Sequence, residues 1–310
     1  MTAIIRQRGV AIITALLIVA IATTVSVTIS TRLQLDVRRT GNMIAVDQAY
    51  LYTLTAEHLS QSILKADLKD NQTDHLGEPW AGEPPIIPVD GGYITGKLTD
   101  LQACFNLNSL IDADADNALA RTRLERLLGN LGIDRSYAQA IIDWLDEDLQ
   151  TTIPDGAEDV HYMNLERPYR TANTRMVSVS ELRLIKGFED PEVYNTLLPH
   201  VCAFGVNRPI NINTASAEVL RSLADNLSEA DAESIIEQRG ESGFSNIGEL
   251  TSLNNLGNKI TSTESLSVDS EYFMLQTEST IGPVRVITYS IIRRTSDGLT
   301  SVIARSQGVH

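Results

Sequence analysis

Positive charge is scarce in this chain. Lys and Arg number 25 against 40 Asp and Glu, a formal net charge of −15 over 310 residues. A phosphate backbone is held by a basic face that releases its counterions, so this balance argues against nucleic acid as a partner and favours cations. Catalytic signatures are missing as well: no nucleophile elbow, Walker loop or HExxH motif occurs. His58, His75, His161, His200 and His310 are scattered with no pair at metal-ligand spacing, which points away from an enzyme. Cysteine is limited to Cys104 and Cys202.

Charge of either sign is missing from one long stretch. Residues 9–31, about 23 in all, carry none, enough helix to cross a hydrocarbon core about 30 Å thick. Arg6 and Arg8 stand before it and no acid does. The positive-inside rule then keeps the N-terminus in the cytoplasm and sends everything after Arg32 across the membrane. A secretory signal peptide has a shorter apolar core, about 7 to 15 residues, and is cut on its far side. Here the candidate processing residue, Gly9, lies before the apolar run. In an oxidising compartment, Cys104 and Cys202 are expected to form a disulfide, the alternative being two buried thiols.

Helical character continues to about Leu68. Leu33, Val37, Ile44, Leu51, Leu54, His58, Leu59, Ile63 and Leu64 fall largely at helical spacing, predicting one apolar stripe. Such a helix is a rod of roughly 90 Å that needs partners beyond the membrane. Residues 70–92 are rich in Gly and Pro and read as a connecting loop. Tyr93, Ile94, Lys97 and Leu98, then residues 103–110 with Phe105 and Leu107 alternating, predict short strands. The strand signal stops at Ile111 and returns at Glu271 as a three-stranded antiparallel meander, turning at Gly282-Pro283 and Asp297-Gly298. A sheet is thus interrupted by a helical insertion.

The insertion holds a weak repeat. Residues 128–145 resemble residues 222–239, with Ala138, Ile141 and Ile142 matching Ala232, Ile235 and Ile236, and with Asp134 and Ser228 as N-caps. The first copy carries an added surface loop of about 26 residues, the kind of loop that is usually functional or disordered. Its acids and amides are Asp143, Asp146, Glu147, Asp148, Asp155, Glu158, Asp159, Asn164, Glu166 and Asn173. Few Lys or Arg neutralise them. Hard oxygen ligands at this density suit Ca²⁺, which takes about six to eight, although a merely solvated acidic loop has the same composition. The best ligands are Asp146, Asp148, Glu158, Asp159 and Asn173, with Asp143 as an outer one, because a turn at Pro154 to Gly156 would fold the two acidic clusters together. Residues 211–220 resemble the opening of helix-hairpin-helix modules. The turn at Ala224 to Leu227 has an acid and no glycine, which favours a SAM-like packing module over DNA binding. Asn211, Asn213 and Thr214 are placed to cap or brace a helix starting near Ala215. Trp144 and Tyr169 are expected to pack in the core or brace the acidic loop in preference to stacking on a ligand.

A glycine ahead of an apolar helix resembles the type IV pilin and pseudopilin class. The resemblance implies cytoplasmic cleavage by a prepilin peptidase between Gly9 and Val10, with Val10 the N-methylated first residue. Most of that class carry glutamate as the fifth mature residue; here it is Thr14. An uncharged residue there resembles the GspK family of type II secretion minor pseudopilins. So do FNLNSL at 105–110, DWLDED at 143–148, GAEDVHY at 156–162, RPYRTAN at 167–173 and SVSELRLIKG at 178–187. The resemblance implies a non-catalytic role at the tip of the periplasmic type II secretion pseudopilus, initiating and capping it for protein export across the outer membrane. It also implies one or two Ca²⁺ ions in the insertion. The implied partners are minor pseudopilins I, J and H, major pseudopilin G, the prepilin peptidase and the bacterial inner membrane, crossed once.

The expected fold is α+β: a pilin-like long N-terminal helix packed on an antiparallel sheet, interrupted by a large all-α insertion of two SAM-like, helix-hairpin modules. The units are a prepilin leader at 1–9, a transmembrane helix at 10–31, stem helix and first strands at 32–110, and a first SAM-like module with the acidic metal loop at 111–205. A second SAM-like module at 206–266 and C-terminal strands at 267–310 complete the chain. The rival functions are a membrane-anchored metal-dependent hydrolase, which needs an open metal site and a positioned base, and a DNA-uptake protein, which needs a basic hairpin face.

Overall fold

A computed structural model describes residues 8–111, 117–205, 207–253, 256–260 and 262–308. Arg6 and His310 lie outside them. The first element, α1 (Arg8–Asp70), runs unbroken for 63 residues, about 95 Å at the α-helical rise, because no proline falls within it. Its N-terminal part is long and apolar enough to cross a membrane once, and none of that segment is buried within the chain.

The helix buries a different face from the one its apolar residues predict. Ala49, Thr53, Ala56, Glu57, Ser60, Leu64 and Asp67 are buried against the sheet. Leu33, Val37, Ile44, Leu51 and Leu59 are exposed, Leu54 and Ile63 are half-buried, and of the expected stripe Leu64 alone is buried. Small side chains let the helix axis approach the strands closely, and the larger ones are left outward.

Residues 70–92 are not all loop. β1 (Ile86–Val89) pairs antiparallel with β2 (Gly92–Asp100), and Pro88 is accommodated because β1 is an edge strand. The expected strand over 103–110 shrinks to β3 (Phe105–Asn106), followed by a 3₁₀ turn. Asn106 and Asn108 cause the break by using their side chains as substitute backbone. Asn106 Oδ1 accepts from Asn108 N at 3.2 Å and Phe204 N at 3.3 Å. Asn108 pairs both ways with the Met176 backbone at 2.8 and 2.9 Å.

The insertion continues through α2 (Asn117–Asn130), α3 (Tyr137–Leu145), α4 (Asp159–Tyr162) and α5 (Pro191–Leu197) to β4 (Val201–Cys202), which pairs parallel with β3. After β5 (Ile210–Asn211) come α6 (Ala217–Arg221), α7 (Glu229–Arg239), α8 (Ile247–Ser252) and α9 (Leu256–Lys259), then β6 (Leu266–Ser267), parallel to β5. These short parallel pairs carry no sequence signal and are additions to the expected pattern. Ser228 caps α7 in a capping box with Asp231. Asp134 falls short of the cap: it accepts from Ser136 N at 2.9 Å, and Ser136 takes the N-cap position of α3.

Two hydrophobic cores result, one around Leu124, Ile141, Leu145, Tyr162 and Leu182, the other around Ile212, Val219, Leu220, Ile235 and Leu250. The meander follows as β7 (Tyr272–Ile281), β8 (Val284–Arg294) and β9 (Thr300–Gln307), completing an antiparallel sheet in the order β1-β2-β7-β8-β9. Asp100 pairs with Phe273, so the insertion leaves and re-enters the sheet at one end. That end lies beside Asp67 near the C-terminus of α1, while Ala49 packs with Ile281 and Val286 at the other.

Asn211, Asn213 and Thr214 brace rather than cap, since Ser216 is the N-cap of α6. Asn211 Nδ2 donates to Asp100 Oδ2 at 3.1 Å and Ser270 Oγ at 3.0 Å, and Thr214 Oγ1 donates to the same Asp100 oxygen. Cys104 and Cys202 are disulfide-bonded across a sequence separation of 98, tying the first core to the chain as it leaves the sheet.

Candidate functional site

The acidic loop begins where α3 ends. Asp143 lies in the last turn and is fully buried, and both its oxygens accept from Thr152 N, at 3.2 and 3.0 Å. Asp146 is the first residue past the helix, extended at φ −73°, ψ 163°. Asp148 Oδ1 accepts from Gln150 N at 2.6 Å, which turns the chain back. Gly156 N then bonds Thr152 O at 2.7 Å. A Cβ on Gly156 would lie 2.2 Å from Asp143 Oδ2 and 2.5 Å from Thr152 O, so the fold there excludes any side chain.

The turn brings Glu158 against the first acidic cluster. Carboxylate oxygens of Asp146, Asp148 and Glu158 lie within 4.8 Å of one another. Glu158 is 1% exposed; its Oε2 accepts from Thr171 Oγ1 at 3.1 Å, and among the described residues its Oε1 has no partner. Asp146 Oδ1 is likewise buried without a donor. Asn173, held at φ 46° while its N–H bonds Trp144 O at 3.0 Å, donates from Nδ2 to Asp148 O at 2.9 Å and leaves Oδ1 buried and unpartnered.

The electrostatics follow from that crowding. Burial first, then the neighbouring Asp148 and Asp143, pushes the Asp146 carboxyl up to about 6. Burial, reinforced by Asp143 and Asp146, pushes Glu158 up to about 7 against the opposing Thr171 hydrogen bond. Three acids are held together with buried acceptors and too few donors, an arrangement that a divalent cation relieves. The donor set of carboxylates and one amide oxygen is that of a hard cation such as Ca²⁺.

The predicted residues divide into two groups. Asp146, Asp148, Glu158 and Asn173 carry or border the unpartnered oxygens. Asp143 sits behind them, its oxygens committed to Thr152 N. Asp159 turns away: its Oδ1 accepts from Thr171 N at 3.1 Å and Thr171 Oγ1 at 3.0 Å, and its Oδ2 lies 3.8 Å from Arg170 Nε. Thr171 and Gly156 were not singled out by the sequence, although both fall in the segments RPYRTAN and GAEDVHY. An aromatic stack backs the loop. Trp144 meets Tyr162 edge-on with ring centroids 5.5 Å apart, Tyr162 stacks on Tyr169 at 5.2 Å, and Trp144 Nε1 donates to Glu181. Gly9 and Val10 lie at the start of α1, and Thr14 Oγ1 donates to Ala11 O at 3.0 Å and Val10 O at 3.1 Å.

Two family models described as type II secretion system (T2SS), protein K match the chain, over residues 103–206 and 210–269. Type II secretion system protein K of Pseudomonas aeruginosa is 37% identical, with 97% of this chain and 93% of that protein aligned. The Aeromonas hydrophila protein of the same description is 33% identical, with 98% of each aligned. A chain in the crystal structure of the GspK-GspI-GspJ complex from the enterotoxigenic Escherichia coli type 2 secretion system superposes with a TM-score of 0.77 at 30% identity. The match covers 88% of this chain and 100% of that one.

Proposed function

Since the chain belongs to the type II secretion system protein K family, we propose that this minor pseudopilin sits at the tip of the pseudopilus, initiating and capping it for export across the outer membrane. One observation carries the reading. The insertion leaves the sheet at Asp100 and returns at Tyr272, at the end of the sheet farthest along α1 from its apolar segment. The bulk of the molecule therefore stands on the far side from the membrane, where it would obstruct a subunit stacking above. The outward Leu33, Val37, Ile44 and Leu51 remain free to meet neighbours below.

The similar crystal structure holds a complex with GspI and GspJ, and minor pseudopilins I and J are the proposed partners here, with H and the major pseudopilin G below them. In this reading the prepilin peptidase cuts between Gly9 and Val10. The helix stays in the inner membrane with its N-terminus cytoplasmic and the C-terminal domain periplasmic. One or two Ca²⁺ ions held by Asp146, Asp148, Glu158 and Asn173 would fix the acidic loop, a structural role with no reaction attached. Immunogold labelling of overexpressed pseudopili tests the placement: label at one end is expected, and label along the length would overturn it.

A further inference from the structure

Among the described residues, Arg123 is buried without a counter-ion, in a chain that has 40 acids. It lies on α2 beside the fully buried Leu124 and is itself 4% exposed. Among the described residues, its Nε and Nη2 have no hydrogen-bond partner. Its basic neighbour Arg126, one turn on, is satisfied: Nε is paired with Asp225, and Nη1 donates to Ser222 O at 3.4 Å. Burial, followed by the charge of Arg126, lowers the Arg123 guanidinium to about 10, which leaves it cationic at neutral pH. An unpaired buried charge is strongly unfavourable, so this one calls for a partner.

The space for that partner is present. Arg123 lines a cavity of about 280 Å³ where the first helical core, the second and the link between them meet. The same cavity is lined by Ser109, Arg208 and Ser265. Arg208 Nε and Ser265 Oγ are also buried without partners, although Arg208 Nη2 bonds Glu271 at 3.2 Å. Glu264, the acid on this lining, is solvent-exposed. Three residues that line one cavity thus carry four unpartnered polar atoms, three of them guanidinium nitrogens. Nε and Nη2 form one edge of a guanidinium, the planar fork that takes two oxygens of a carboxylate, sulfate or phosphate at once.

We infer that this cavity is a binding site for a small oxyanion, gripped by the Nε–Nη2 edge of Arg123 and completed by Arg208 Nε and Ser265 Oγ. Arg123 belongs to the first helical core, while Ser265 borders β6 beside the second. A bound oxyanion therefore joins the two halves of the head across their seam. It removes an uncompensated buried charge and stiffens the head.

The test uses the full-length chain in detergent with sulfate as the probe, titrated against chloride at matched ionic strength and followed by thermal unfolding. Sulfate also stabilises proteins generally by exclusion from their surfaces, an effect that rises without saturating. The expected result is a saturable rise in Tm for the wild type. Arg123→Met, with no charge left to bury, should need at least tenfold more sulfate for the same response while unfolding no earlier than the wild type in chloride. An unsaturating rise shared by both proteins would overturn the site. A second measurement needs no variant: crystals grown with selenate should show an anomalous peak within hydrogen-bond distance of Arg123 Nε and Nη2, and its absence there would equally overturn it.

Discussion

Arg294 Nη2 lies 2.6 Å from both carboxylate oxygens of Asp74, with both residues buried. The same guanidinium reaches Asp67 of α1 through Nη1 at 2.9 Å. Stem helix, connecting loop and the end of β8 are therefore pinned by one cation. Removing it strands two buried carboxylates, and breaking a buried pair costs roughly 3–5 kcal/mol. Arg294→Met should lose about that much stability in urea unfolding. The double variant with Asp74→Asn should lose less than the sum of the two singles, since the residues share one network.

Glu57 supplies a corresponding lock ten residues before Asp67 on α1. Arg305 donates to its two oxygens at 2.6 and 2.7 Å and Ser290 Oγ to one of them at 2.5 Å. Burial works to raise this carboxyl, but the Arg305 and Ser290 hydrogen bonds outweigh it and hold Glu57 below its ordinary value of 4.5. An acid with a depressed folded value contributes stability above its unfolded value and loses it as pH falls through the folded one. Glu57→Gln should therefore flatten the acid limb of the stability profile below about pH 4.5 and leave its neutral limb lower. Parallel profiles for variant and wild type would show that the lock contributes nothing.

The disulfide closes a loop whose ends are 98 residues apart in sequence. In the chain-entropy model such a loop is worth about 4.7 kcal/mol, an upper value. Cys104→Ala with Cys202→Ala should lower Tm by many degrees, and thiol labelling of the unreduced protein should find no free cysteine.

Chelation should lower Tm and expose residues 146–173 to protease, and Asp148→Asn or Glu158→Gln should weaken Ca²⁺ binding at least tenfold. Burial first, then neighbouring carboxylates, raises Glu158 to about 7 and Asp146 to about 6, so without cation the cost of ionising them in place grows as pH rises from their unfolded values through these folded ones. Metal-free protein should accordingly gain stability as pH falls from 7 to about 5, while its calcium affinity declines over the same range because ligation needs the ionised forms. Unchanged Tm and unchanged protease resistance on chelation would mean a merely solvated loop.

The sequence announces some of this and hides the rest for identifiable reasons. The meander was legible because Gly282 and Gly298 punctuate it, at φ 53° and 82°. The sheet-facing stripe of α1 was not, because Ala49, Thr53, Ala56 and Ser60 carry little hydrophobic signal and act through their small size. β1 hid behind Pro84, Pro85 and Pro88. In the acidic loop, residue types revealed the cluster but could not separate Asp146 from Asp159. That difference depends on Thr171 occupying one carboxylate and leaving the other free.

Thr14 bears on the tip assignment. Its hydroxyl bonds the Val10 and Ala11 carbonyls of its own helix, so it needs no partner from a neighbouring subunit. A carboxylate costs about 2.5–3.5 kcal/mol at the centre of a membrane helix on insertion scales, an upper value for the fifth residue of the span, and in the proposed filament a neighbour's N-terminal amine would compensate it. A subunit that leads the filament has no such neighbour ahead of it and is better served by threonine. Thr14→Glu should therefore leave membrane insertion and formation of the tip complex largely intact, since that cost is small beside the gain from the long apolar segment. Mass spectrometry should find Val10 as the mature N-terminus; a start beyond Ser30 would mean an ordinary signal peptide. Deleting residues 111–266 should keep the stem and sheet yet remove the obstruction above them, so pseudopili should overgrow. Filaments of wild-type length from a deletion variant that still enters the complex would place the capping function elsewhere in the molecule.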